Sequence, residues 1–288
     1  MKRILLFVFT NILITTMVIF VSSLLGLDQY MNSHGINIVG LALFSILFGF
    51  TGSFISLLLS KNMAKWTMGV RVVSDQDGSL ERTVLQIVRK QADRLNMKMP
   101  EVGIFQSPEI NAFATGASKN NSLVAISSGL IQKMNLQELD AVIGHEMTHI
   151  SNGDMVTMTL LQGLLNTFTL FFSKIVSFMI INFLARDQKI SWFLDFALQM
   201  VLQMIFGVLA MIVLTWYSRQ REFAADKGGA FLSGKNNMIA ALQRIGQSHE
   251  TSQLDPSLQA FGINSGKMLS IFSTHPSIQD RIQALQRN

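Results

Sequence analysis

Gly144-His145-Glu146-Met147-Thr148-His149 reads H-E-x-x-H, with its two histidines four residues apart. On an α-helix, positions i and i+4 share one face, so both imidazoles can reach a single ion. Glu146 follows the first histidine directly, placed to hold a water at that ion without ligating it. This spacing is the zinc metalloprotease signature. With five His and seven Glu in the chain, chance placement would produce about 0.002 such matches, so coincidence is a weak rival.

Working outward, Asn135-Leu136-Gln137-Glu138 has the form of a capping box, which predicts that a helix starts there. Leu136, Leu139, Val142 and Ile143 supply its apolar side, and Asn152-Gly153-Asp154 supplies its stop. Upstream, Val84, Val88, Ala92 and Leu95 follow helical spacing within Arg82–Met97, which ends before Pro100. Three strand-like runs come next: Val102–Phe105, Asn111–Thr115 and Ser122–Ser127, separated by turn-forming residues.

This soluble stretch is flanked by apolar runs. Only 14% of the chain is charged and 49% is hydrophobic, against about 25% charged in a typical soluble domain. Ile4–Leu27 and Ile36–Ser60 carry no charge, and each is long enough to span a bilayer. The first is too long for a signal-peptide core and ends without a small-residue cleavage site. His34 lies in the short loop between the two and reads as a plain loop residue. Lys2 and Arg3 precede this pair, Lys61, Lys65 and Arg71 follow it, and the loop has neither residue type. The positive-inside rule then places both ends in the cytoplasm.

Two further runs, 155–185 and 190–217, contain Gln162, Asn166, Lys174 and Asn182, and Asp195, Gln199 and Gln203. Polar groups in a span are costly and face a partner helix or a wet cavity. The expected organisation is a transmembrane hairpin (1–60), a catalytic part (61–154), a second apolar hairpin (155–217) and a C-terminal part (218–288). Gly246–Gly266 reads as a loop region. The fold class expected is an α-rich α+β membrane protein, with transmembrane helices and a small sheet beside the helix of the motif.

The absence of cysteine excludes disulfides and thiolate metal sites. The net charge of +5 comes from residues flanking apolar spans instead of forming a basic patch, which argues against a nucleic-acid partner. A catalytic zinc needs a third protein ligand. Downstream of His149 the candidates are Glu222, His249, Glu250 and His275. Glu222 stands out because Asp226 follows at i+4, where a carboxylate can accept a hydrogen bond from a ligating imidazole. A solvated face paired with Arg219, Arg221 and Lys227 is the simpler alternative.

The N-terminal hairpin, Asn111-Ala112-Phe113-Ala114-Thr115-Gly116, the H-E-x-x-H segment, Ser218–Asp226 and Thr274-His275-Pro276-Ser277 together resemble the HtpX heat-shock proteases. These are membrane relatives of the CAAX prenyl proteases within the gluzincins. The resemblance covers nearly the whole chain. It implies a zincin-like domain with His145, His149 and Glu222 as ligands to one zinc ion, Glu146 as general base and Asp226 behind a ligand. It also implies that Asn111, Ala112 and Phe113 lie on a strand lining the substrate, and that His275 helps stabilise the tetrahedral intermediate. The implied setting is the bacterial inner membrane, with the site facing the cytoplasm. The implied substrates are membrane proteins and unfolded polypeptides met at the lipid bilayer, as part of quality control.

The residues also allow a rival: a metal-binding membrane scaffold or transporter without hydrolysis, suggested by Lys174, Asp195 and Gln199. One topological consequence holds either way. If Glu222 shares an ion with His145 and His149, the chain between them crosses the membrane an even number of times.

Overall fold

The computed structural model describes residues 37–185, 192–252 and 275–287. The first apolar run, its following loop with His34, and the linker 186–189 lie outside them. The described residues form two compact units, one of residues 37–56 and 157–214, the other of 57–156 and 215–287.

The elements in chain order are α1 (Ile38–Thr67), β1 (Arg71–Val72), α2 (Ser79–Arg94), β2 (Glu101–Phe105), β3 (Ala112–Ser118) and β4 (Asn121–Ser127). They continue with α3 (Ser128–Lys133), α4 (Leu136–Asn152), α5 (Asp154–Ala185), α6 (Trp192–Ser233), α7 (Lys235–Ser252) and α8 (Ile278–Arg287). Among the described residues, α1, α5 and α6 are long and apolar enough to cross a membrane.

In the second unit the strand order is β1-β2-β4-β3, with β2 parallel to β4 and both edge strands antiparallel to their neighbours. Residues Ser122–Ser127 of β4 are all buried, as befits a central strand covered on both faces. Val124 and Ile126 point with Val102 and Ile104 into the main core, alongside Val84 and Val88 of α2 and Ile143 and Met147 of α4. Leu123 and Ala125 point the other way, onto Val70 and Phe105, with Ala64 of α1 packed against them.

Several local expectations shift. The two-residue strand β1 carries too little pattern to be read from sequence. Helix α2 starts at Ser79 and ends at Arg94, capped by Leu95, after which Asn96 takes a positive φ of 48°. Leu136 is exposed, because the first turn of α4 projects past the core that buries Leu139, Val142 and Ile143. Of the expected loop Gly246–Gly266, residues 246–252 are helical, within α7, and 253–266 lie outside the described residues. A Cβ at Gly246 would lie 3.5 Å from Ile278 of α8, an ordinary van der Waals contact, so packing there does not require glycine.

In the first unit, polarity is reversed relative to a soluble domain. Ser45, Ser53, Thr167, Ser173 and Ser177 are buried, whereas Val201, Met204, Ile205, Val208, Leu209 and Val213 of α6 are exposed. An apolar face of that extent needs a lipid neighbour. Gly49 lets α1 and α5 approach closely: a Cβ there would fall 2.6 Å from the backbone N of Thr167. The charges within these helices pair with each other. Lys174 Nζ lies 2.8 Å from Asp195 Oδ2, and Ser177 donates to Asp195 Oδ1 at 2.9 Å.

Candidate metal centre

The helix bearing the motif is fixed at both ends by its own sequence. Asn135 accepts from Glu138 N at 2.9 Å, and Glu138 accepts from Asn135 N at 3.1 Å, completing the capping box. Gly153 ends α4 in the left-handed region at φ 67°, a conformation that glycine adopts without penalty. The reversal places Asp154, the first residue of α5, beside His149.

Helix α6 reaches the motif because small residues face each other where it meets α4. A Cβ on Gly144 would lie 3.2 Å from Gly229 Cα, and one on Gly228 would lie 2.3 Å from Thr148 side-chain atoms. One to two turns earlier on α6, this approach carries Glu222 and Asp226 to the two histidines. His145 Nε2 and His149 Nε2 are 3.1 Å apart. Glu222 lies 3.5 Å from the former through Oε2 and 3.2 Å from the latter through Oε1. Ligand distances of about 2.0–2.1 Å in a tetrahedron imply ligand separations of roughly 3.3–3.4 Å. His145, His149 and Glu222 therefore form a cluster that fits a tetrahedral metal with one position left over.

The opposite ring nitrogens are held. A carboxylate can only accept, so His145 Nδ1–H donates to Asp226 Oδ1 at 2.9 Å and His149 Nδ1–H donates to Asp154 Oδ2 at 2.8 Å. Both imidazoles thereby present Nε2 inward, the arrangement that raises ligand basicity. Asp226 accepts two more bonds from Arg281, from Nε at 2.7 Å and from Nη2 at 2.6 Å. Asp154 is paired on its other oxygen by Arg221. His275 contacts Glu222 Oε2 through Nδ1 at 2.7 Å and is itself largely exposed. Arg221 and Arg281 thus pair with Asp154 and Asp226, which displaces the simple reading of Glu222 and Asp226 as a solvated salt-bridge face.

The electrostatics agree with a cation site. Burial pushes His145 and His149 down, but the carboxylates outweigh it. His145 is raised by Asp226 and Glu222, and His149 is pushed up to about 10 by Asp154 and Glu222. Burial pushes Glu222 up, yet the imidazoles of His145, His149 and His275 hold it well below the usual carboxylate range. The pocket's field favours positive charge where the two Nε2 atoms and Glu222 meet.

Glu146, on the same helix, is buried at 9% exposure. Asn111 stands just before β3 and is exposed; its main chain bonds Ser127, which donates from N to Asn111 O at 2.9 Å. Phe113 is opposite Ala125, and its ring packs on Phe105 at 5.6 Å between centroids. The side chains of His249 and Glu250 lie outside the described residues.

Two residues of the centre escaped the sequence reading. Asp154 looked like a helix stop, and only the turn at Gly153 aims it at His149. Arg281 had a legible signal, because it interrupts the apolar stripe Ile278, Ile282 and Leu285 at a core-facing position. Replacing Glu222 is a direct check on the cluster. Glu222→Ala should lower metal content to well below one ion per chain, whereas Glu250→Ala should leave it unchanged, as read by elemental analysis of purified protein. The reverse pattern would move the third ligand.

Comparison with known proteins follows the same residues. The model of peptidase family M48 matches residues 76–288. The Protease HtpX homolog of Paracidovorax citrulli is 48% identical over 99% of each chain. That of Methylacidiphilum infernorum is 46% identical over 99% of this chain and 98% of its own. Protease HtpX of Shewanella piezotolerans is 47% identical over 99% of both. Among solved structures, S. mikatae Ste24p shares the fold, with a TM-score of 0.60 at 16% identity, covering 96% of this chain and 66% of that one. A match over residues 76–288, joined to three membrane-capable helices and a His-His-Glu cluster, shows that this chain is a membrane protein belonging to peptidase family M48.

Proposed function

We propose that the chain is a zinc-dependent endopeptidase of the bacterial inner membrane. It cleaves polypeptides at the cytoplasmic surface, in quality control of misfolded or damaged membrane proteins. The observation that carries this reading is the convergence of His145 Nε2, His149 Nε2 and Glu222 within one ligand shell, with Glu146 one residue from His145. His145, His149 and Glu222 would hold the zinc, which would supply Lewis acidity toward the scissile carbonyl and lower the pKa of the attacking water. Glu146 takes that water's proton and delivers it to the leaving amine. Asp226 and Asp154 keep the two imidazoles in the tautomer that faces Nε2 inward. His275, which reaches Glu222 Oε2 through Nδ1, is assigned the donor role toward the developing oxyanion, a reading supported by its contact with a ligand carboxylate.

Edge strand β3 suits the substrate. The bond from Ser127 N to Asn111 O makes Ala112↔Ile126 a non-hydrogen-bonded pair, so the main-chain groups of Ala112 and Ala114 point away from β4. An extended peptide can add to those groups by backbone pairing, which tolerates many sequences. Phe113 contributes by anchoring the strand through Ala125 and Phe105. The sidedness rests on Lys61, Lys65 and Arg71 following the second apolar run. An even number of crossings between His149 and Glu222 agrees with two membrane-capable helices, α5 and α6.

The transport alternative drew on Lys174 and Asp195, which form an ion pair with each other. Detergent-purified protein is expected to cut an unfolded casein-like substrate at internal bonds, to lose at least 90% of that rate (about tenfold or more) on chelation, and to regain it with zinc. Metal flux in proteoliposomes with no cleavage would overturn this reading in favour of transport.

A further inference from the structure

Gly52, Ser53 and Ser56 of α1 and Thr159, Gln162 and Asn166 of α5 line an open cavity of about 260 Å³, a groove between the two helices in which Gly52 and Ser56 are exposed and Ser53 is buried. Its position along the helices is matched from both sides. Ser56 and Ser53 lie 5 and 8 residues before Lys61, the first charge after the apolar run. Thr159, Gln162 and Asn166 lie 5, 8 and 12 residues after Asp154. At about 1.5 Å per residue, these polar groups run from roughly 8 to 18 Å beyond the charged ends. A hydrocarbon core is about 30 Å thick, so the seam reaches its middle.

Hydrogen bonding within the seam is incomplete. Gln162 Nε2 donates to Asn166 Oδ1 at 2.8 Å, and Asn166 Nδ2 donates to Ser53 Oγ at 3.3 Å. Gln162 Oε1 receives no hydrogen bond among the described residues. A neutral amide acceptor held in an apolar layer is costly unless water or a ligand meets it. No charged side chain lines the cavity, so it has nothing to hold a metal ion or an anion. Its volume holds roughly eight waters at about 30 Å³ each, or a short stretch of polypeptide.

The chemistry it fits is an exposed peptide backbone. A transmembrane segment must lose helical hydrogen bonds before it can lie along a strand and be cut. Each orphaned N–H or C=O costs several kcal/mol in hydrocarbon. Side-chain amides replace those bonds with both donors and acceptors. We propose that this cavity receives the unwinding end of a substrate's transmembrane helix, with Gln162 and Asn166 hydrogen-bonding its freed backbone. The inference rests on the endopeptidase reading above and extends it to the recognition of membrane substrates.

The double variant Gln162→Leu/Asn166→Leu separates the two ideas. Cleavage of soluble unfolded casein should stay within about twofold of wild type, while cleavage of a single-span substrate in proteoliposomes should fall at least fivefold. Equal loss on both substrates, or loss on neither, overturns the proposal. Wild-type protein that cuts neither would instead sink the endopeptidase reading. A second measurement does not depend on turnover. The chain has no cysteine, so Gln162→Cys in a Glu146→Gln background gives a single thiol. That thiol should react with a water-soluble maleimide, and saturating single-span substrate should slow the reaction at least fivefold. An unreactive thiol would show the cavity filled by the chain itself, and a reaction indifferent to substrate would show water alone; either overturns the proposal.

Discussion

Glu146→Gln should keep one metal ion per chain and lose peptide-bond cleavage by about 10²–10⁴-fold. Three other residues form the ligand cluster, so the substitution leaves metal retention to His145, His149 and Glu222. Glutamine has nearly the same shape and can still hydrogen-bond a water, but it cannot accept the water's proton. The loss corresponds to about 3–5 kcal/mol of barrier. It should fall on kcat more than on KM, because the proton moves only as the transition state forms. Elemental analysis and initial rates on the same preparation make the test. Retained cleavage with the metal bound would remove Glu146 from the mechanism, and loss of metal would make it part of the binding set.

Arg281→Ala should damage both the fold and the metal centre. Arg281 is 7% exposed and Asp226 is 1% exposed, and the guanidinium grips both carboxylate oxygens. Removing it leaves a buried carboxylate whose one remaining partner among the described residues is the His145 N–H. Breaking a buried ion pair from one side costs about 3–5 kcal/mol, or roughly 6–20 °C in Tm for a unit of this size. With Asp226 loosened, His145 loses its orientation, and metal affinity should fall about 10–100-fold. Arg281→Lys keeps the charge without the two-pronged geometry, so it should recover only part of either loss.

Arg281→Met combined with Asp226→Leu distinguishes the two effects. It removes both charges, so stability should largely return. Metal affinity should remain low, because no carboxylate orients His145. Thermal melts with metal titrations read both. Arg281→Ala with unchanged Tm and metal affinity would refute the assignment.

What was legible in the sequence was what depends on neighbours along one helix or strand. H-E-x-x-H, the capping box at Asn135–Glu138 and the stop at Gly153 are all local geometry, set by 3.6 residues per turn. The apolar runs were equally plain, since spanning depends on length and the absence of charge. Glu222 and Asp226 could be paired with the histidines because i and i+4 spacing matches on both helices.

The remainder depended on contacts between residues far apart in the chain. Gly144 and Gly229 are unremarkable as letters, yet their close approach sets how near Glu222 comes to His145. Arg281 lies 55 residues from Asp226 in sequence, and no local rule links a buried arginine to a particular carboxylate. The same holds for Gln162, Asn166 and Ser53, which in sequence are only blemishes in apolar runs. The sequence by itself therefore determined the histidine pair of the ligand cluster and the membrane character. Tertiary structure alone decided which carboxylate holds which imidazole, because that choice is made by packing between helices, where small residues permit close approach and burial leaves each charge few partners.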